Sequence, residues 1–169
     1  MSRGLKDFGK EAVEYMNDLG MIIDVSHLSD GGFMDVANIS KKPFIASHSN
    51  CRSLCSHQRN LTDEMIKVLA EKGGVAGLNF GPEFLNENIE CKDSTVELML
   101  KHVNRMVDIG GIECVALGSD FDGIGGNIEV SGVDKMQLIF DRLAREGYSR
   151  TQIEKIAYQN AMQVIREIL

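Results

Sequence analysis

The chain has 169 residues, 43% apolar and 25% charged, enough for one soluble domain (residues 1–169) with a core of its own and unlike a disordered protein. Its 25 acidic residues against 18 basic ones give a net charge of −7, which opposes binding to nucleic acid and favours small molecules or proteins as partners. No apolar run reaches the roughly 18 residues of a membrane span, no signal-peptide core opens the chain and four cysteines make no disulfide framework, so a cytoplasmic protein with reduced thiols is expected.

In chain order, Leu5, Phe8, Ala12, Tyr15, Met16 and Leu19 recur at three-and-four spacing and predict a helix over 5–19 with one buried stripe, closed by Gly20. "MIIDV" reads as a buried strand, followed by a short helix from Ser29, a suitable N-cap, to Ile39. "KKPFIASH" is a second strand with its proline at the start. After the polar loop "SNCRSLCSHQRN", Thr62 opens a helix with Asp63 and Glu64 in its first turn, and Gly73 and Gly74 end it. "VAGLNF" is a third strand, and Ser94 with Glu97 forms a capping box before the helix "TVELMLKHVNRMVDIGG". "CVALGSD" is a fourth strand; after the glycine-rich "FDGIGGN", two helices near 133–146 and 150–168 finish the chain, the last capped by Ser149 and Gln152.

Four apolar strands alternating with helices predict an α/β fold with a parallel sheet, either open or part of a barrel. In both architectures functional groups collect beyond the carboxyl ends of the strands. His27, His48 and Asp120 all fall there. Two neutral imidazoles and a carboxylate suit a divalent metal such as zinc, whose bound water becomes a nucleophile near neutral pH while a free carboxylate handles its proton. Taken singly, a histidine after a strand is more often a loop residue bonded to a backbone carbonyl, and Asp120 and Asp122 suit Asx turns. Arg59 can grip a carboxylate through two parallel bonds or remain a solvated loop arginine. Cys51 and Cys55 beside His48 and His57 offer a rival, a structural Cys/His zinc module. His102 is expected on the surface of its helix. Neither a dinucleotide fingerprint, a P-loop nor a serine nucleophile elbow occurs.

Three segments, "GMIIDVSHLS", "PFIASHSNCRSLCSHQRNLTDEMIKVLAEKGGVAGLNF" and "VALGSDFDG", closely resemble the renal, or membrane, dipeptidase family of zinc metallopeptidases, and the likeness runs from "GLKDFG" to "QNAMQVIREIL". The resemblance implies a (β/α)8 barrel of the TIM type with two zinc ions, hydrolysing dipeptides by metal-hydroxide attack on the peptide bond. It further implies that His27 and His48 bind one zinc, that Arg59 holds the free carboxylate of the dipeptide, and that Asp120 is the acid/base and substrate-amine residue. The family's His-x-Asp pair, bridging Glu and substrate-polarising His have no counterpart here. The expectation is therefore half a barrel, strands five to eight, lacking a complete binuclear site. Such a half would pair with another copy or with the missing N-terminal half, as a dipeptidase part or as a catalytically inactive assembly module.

Overall fold

In a computed structural model, the structure describes residues 3–88 and 90–169. Helix α1 (Asp7–Asp18) is followed by an extended segment, 21–25, and by α2 (Asp30–Ile39), whose N-cap Ser29 accepts a hydrogen bond from Gly32 N as its sequence predicts. The short strand β1 (Ile45–Ala46) then leads through a long loop to α3 (Asp63–Glu71), capped by the Thr62 hydroxyl, which accepts from Met65 N. Strand β2 (Val75–Asn79) precedes a single helical turn, α4 (Pro82–Leu85), and the two-residue strand β3 (Asp93–Ser94). Helix α5 (Val96–Gly110) feeds β4 (Val115–Ser119). The remainder comprises β5 (Asn127–Ile128), α6 (Gln137–Glu146), α7 (Arg150–Glu154), a π-helical turn over Lys155–Gln159 and α8 (Asn160–Ile168).

Strands β1, β2 and β4 lie side by side in that order, all parallel, with Ala76 opposite both Ala46 and Val115. Segment 21–25 extends the row beyond β1: Val25 N donates to Ile45 O at 2.8 Å and Ile45 N donates to Ile23 O at 2.9 Å. The fold is thus α/β with parallel strands in sequence order, each reached through a helical crossover. All five residues of β2 are buried, as a strand covered on both faces requires, and Phe33, Phe44, Phe80, Met99 and Met106 are buried in the core. A separate two-stranded parallel pairing of β3 with β5 ties the loop after β2 to the loop after β4.

Four expectations need correction. "MIIDV" forms one bridge rather than a full strand, because β1 is its one sheet neighbour among the described residues. The stripe of α1 is not buried as a whole: Val13 faces the core, with Leu5 and Met16 packed beside it, while Phe8 is 81% exposed, Tyr15 64% and Leu19 55%. Thr95, not Ser94, caps α5 by accepting from Leu98 N; Ser94 is a buried strand residue, and Glu97 pairs with Arg142 instead of closing a capping box. His102 is buried, 1% exposed, because α5 turns it inward under the loop that follows β1.

Candidate active site

His27 and His48 leave the ends of neighbouring parallel segments and meet: their Nε2 atoms lie 2.9 Å apart. A metal ion held at about 2.0–2.1 Å from each nitrogen would need them roughly 3 Å apart, so the pair fits two positions of one coordination shell. Burial lowers the pKa of His48, an effect deepened by Arg59 and His27 and opposed by Asp120 and Asp24. The neutral imidazole, the form a metal requires, is therefore favoured. Among the described residues no group of three or more His, Cys, Asp or Glu side chains is spaced to share an ion.

The backbone that delivers His48 is tightly confined. After Ala46 the chain leaves the sheet, and Ser47 N donates to Asp24 Oδ1 at 3.0 Å. The Ser47 carbonyl then sits against Gly77 of β2 and Gly118 of β4, where a Cβ on either glycine would collide with it. Two strand glycines thus make a slot that admits the histidine-bearing segment. Ser49 N donates to Gly77 O at 2.8 Å, and His48 N donates to Ser26 Oγ at 3.0 Å. Asp24 braces the segments on either side, accepting from Ser26 N and from both the backbone N and the hydroxyl of Ser47. Although burial raises its pKa, the hydrogen bonds it accepts from Ser47 and Ser26 outweigh that and hold it below the ordinary carboxylate range.

Arg59 approaches from the loop after β1. Its Nε donates to Ser26 O at 2.6 Å and its guanidinium lies 5.9 Å from the centre of the Phe84 ring, leaving the terminal nitrogens for a ligand. A cleft of about 200 Å³ joins Arg59 to His27 and is also lined by Leu28, Ser29, Asp30 and Gln58. The loop is braced by Arg52, which forms a two-pronged ion pair with Asp30 (2.8 Å for each bond) and donates to Gln58 O and Asn60 O. Beneath it, Asn60 Nδ2 donates to Cys55 O and Phe84 O, both at 2.9 Å. His102 Nδ1 accepts from Cys51 N at 3.1 Å, which leaves the proton on Nε2, 3.2 Å from Leu85 O. Burial pushes its pKa down to about 4.

Asp120 stands at the end of β4, with φ of +66° after Ser119 at +25°, a left-handed kink that non-glycine residues adopt only when their surroundings hold them there. Asn79 Nδ2 donates to its Oδ2 at 3.0 Å. The Asn79 amide cannot flip, since its oxygen accepts from Gly81 N at 2.7 Å. Asn79 in turn is gripped by Asn50, whose side chain accepts from Asn79 N and donates to Asn79 O. Sequence reading singled out none of Asp24, Ser47, Asn50 or Asn79. The available signal was polar residues at positions where apolar runs end. Asp122 is exposed.

The thiols face elsewhere. Cys51 Sγ donates to His102 O and Cys55 Sγ to Glu83 O, and burial raises both pKa values, that of Cys51 to about 12. Protonated, separately engaged thiols make poor metal ligands, which weighs against the Cys/His module.

The sequence model of the family described as membrane dipeptidase, peptidase family M19, matches residues 1–169. The chain belongs to the membrane dipeptidase family. This family member is 33% identical over 166 residues to the dipeptidase tcpJ of Claviceps purpurea, a match covering 98% of this chain and 39% of that protein. It is 34% identical over 166 residues to the uncharacterized protein in the pqqA 5' region of Klebsiella pneumoniae, covering 98% of this chain and 61% of the other. Among solved structures it superposes with a TM-score of 0.93 and 31% identity on a metallopeptidase from Rhodobacter sphaeroides liganded with a phosphinate mimic of the dipeptide L-Ala-D-Ala, covering 99% of this chain and 48% of that one. The probable dipeptidase PvdM of Pseudomonas aeruginosa gives a TM-score of 0.87 at 25% identity, over 98% and 55% of the two chains. The chain thus spans about half the length of the proteins it matches. Membership of a metallopeptidase family implies a metal cofactor, and the His27–His48 pair fits part of such a site.

Proposed function

We propose that residues 1–169 are a single unit, the second half of a (β/α)8 zinc dipeptidase barrel. The observation that carries this reading is the convergence of two imidazole nitrogens at adjacent strand ends, with Arg59 and Asp120 close enough to shift the pKa of His48. Consecutive parallel strand order and membership of the dipeptidase family support it. His27 and His48 would hold one zinc, which when bound supplies Lewis acidity and a water of lowered pKa. Arg59, held by Ser26 O and the Phe84 ring, binds the free carboxylate of a dipeptide. Asp120 binds the substrate amine and moves the proton between attacking water and leaving nitrogen, with Oδ2 steadied by Asn79.

One flank favours a partner. The exposed Phe8, Tyr15 and Leu19 of α1 lie beside segment 21–25, which pairs on one edge, and this combination suits a second copy or a separately supplied N-terminal half. No helix among the described residues is long and apolar enough to cross a membrane, and the cysteines are free, in keeping with a cytoplasmic site of action.

The test is zinc content by elemental analysis after dialysis against zinc, with dipeptide hydrolysis assayed on the same sample. The expected result is little zinc and no turnover for the chain alone, with metal affinity lowered by His48→Ala and unaffected by Cys51→Ala. Near two zincs per chain with turnover would overturn the half-site reading, and equal losses in both variants would revive the Cys/His module.

A further inference from the structure

The hydrogen bonds around Ser47 have one consistent proton order. Asp24 Oδ1 accepts from two backbone donors, Ser26 N and Ser47 N, each at 3.0 Å. Its other oxygen, Oδ2, faces the Ser47 hydroxyl, and an ionised carboxylate can only accept. The single Ser47 proton therefore goes to Asp24. Ser47 Oγ lies 2.7 Å from His48 Nδ1, and having spent its proton it can only accept there, so the proton of that bond belongs to Nδ1. The third neighbour agrees: Ser26 Oγ accepts from His48 N and can give its own proton to Ser47 Oγ, 3.4 Å away.

We propose that Asp24 and Ser47 form a relay that presets His48 as its Nδ1–H tautomer, so that Nε2 presents a lone pair to the site before any metal arrives. This rests on the reading of His48 as a metal ligand, to which the aimed lone pair would bind. Asp24 and Ser47 are positioning residues, acting through His48 alone. With Nε2 of His48 bare, the relay leaves His27, whose Nε2 lies 2.9 Å away, outside its reach: Asp24 and Ser47 set the tautomer of His48 only.

The relay can be reversed without changing its shape. In Asp24→Asn the side-chain oxygen stays with the two backbone donors, so the new NH2 group faces Ser47 Oγ and donates to it. Ser47 must then give its proton to His48 Nδ1, and His48 becomes the Nε2–H tautomer.

The experiment is long-range ¹H–¹⁵N correlation spectroscopy of the full, metal-free chain with ¹⁵N-labelled histidine at a pH above the ordinary histidine range, assigned with His48→Gln. The expected result is protonated Nδ1 and bare Nε2 on His48, the reverse in Asp24→Asn, and a tautomer mixture in Ser47→Ala. Zinc affinity, read by competition with a chromophoric chelator, should fall about 10- to 100-fold in both variants. A His48 that is protonated on Nε2 in the unaltered chain, or whose tautomer is the same in Asp24→Asn, overturns the relay. The two readings fail separately: a zinc affinity that His48→Gln leaves unchanged overturns the metal reading, whereas the tautomers decide the relay with no metal present.

Discussion

The loop that carries Arg59 and the strand end that carries Asn79 rest on buried side chains, whereas the sheet edge that carries His27 is paired along one side among the described residues and flanked by an exposed apolar stripe on α1. There, Asn50, Asn60, Asn79 and His102 are each at most 1% exposed; Asn50, Asn60 and His102 bond to backbone groups with both ends of the side chain, and Asn79 spans from Gly81 N to the Asp120 carboxylate. At the edge, Phe8, Tyr15 and Leu19 face solvent. The difference separates two ways of holding a site. One half is organised by groups this chain contains, while the other keeps open surface where burial would add stability. Polar groups buried in the first half make each bond costly to lose, because water cannot replace it.

The largest effect should come from the slot between β2 and β4. Gly77→Ala or Gly118→Ala drives a Cβ into the Ser47 carbonyl, which is backbone and cannot swing aside. A loss of about 3 kcal/mol or outright failure to fold is expected in urea denaturation, as for severe overpacking. Wild-type stability in either variant would show that the segment carrying His48 is looser than the rest of the braced half.

Next comes pH. His102 has a folded pKa near 4 against an ordinary 6.5, so it folds neutral and its contribution is fully present above pH 6.5. Stability is lost as pH falls from 6.5 toward 4, by about 3 kcal/mol from this group. Thermal melts at pH 7.0 and 4.5 should show the fall, and His102→Gln should flatten it. An equally steep fall in that variant would place the acid sensitivity elsewhere, for example at the histidine pair.

Asn60→Ala should cost about 1–3 kcal/mol, because it takes from the buried Asn50 N the acceptor it has in Asn60 Oδ1 and removes one of two donors from each of the Cys55 and Phe84 carbonyls. Hydrogen exchange should speed up across residues 50–61 before it does so elsewhere. The smallest effect on stability belongs to the edge: Phe8→Ser and Tyr15→Ser should change it by less than about 0.5 kcal/mol. If that stripe meets a partner, the same changes abolish concentration-dependent association in sedimentation runs. Loss of several kcal/mol would instead mean that α1 is as firmly built in as the loops.

Much of this was legible in the residues. The caps at Ser29, Thr62 and Ser149 were, because a cap is a local bond between a side chain and a backbone three residues on. The placement of His27, His48 and Asp120 at strand ends was equally so, since apolar runs ending on polar groups mark where a buried strand meets solvent. Less legible was which face of a helix finds cover. Periodicity on α1 marked a stripe, but burial depends on whether another element lies against it, and the same ignorance put His102 on the surface when the loop after β1 covers it.

What sequence alone determined, then, is the alternation of strands and helices, their caps and the chemical kinds gathered at one end, all of which follow from interactions within a few residues. Only the tertiary structure decided that His27 and His48 touch, that Asn79 holds Asp120, and that Asp24 reaches Ser47 across a strand boundary. Those contacts join residues 21 to 41 positions apart, and their geometry is set by strand register and by two glycines that let the chain cross the sheet end. No local pattern encodes such a crossing, because it depends on what the neighbouring strands leave vacant.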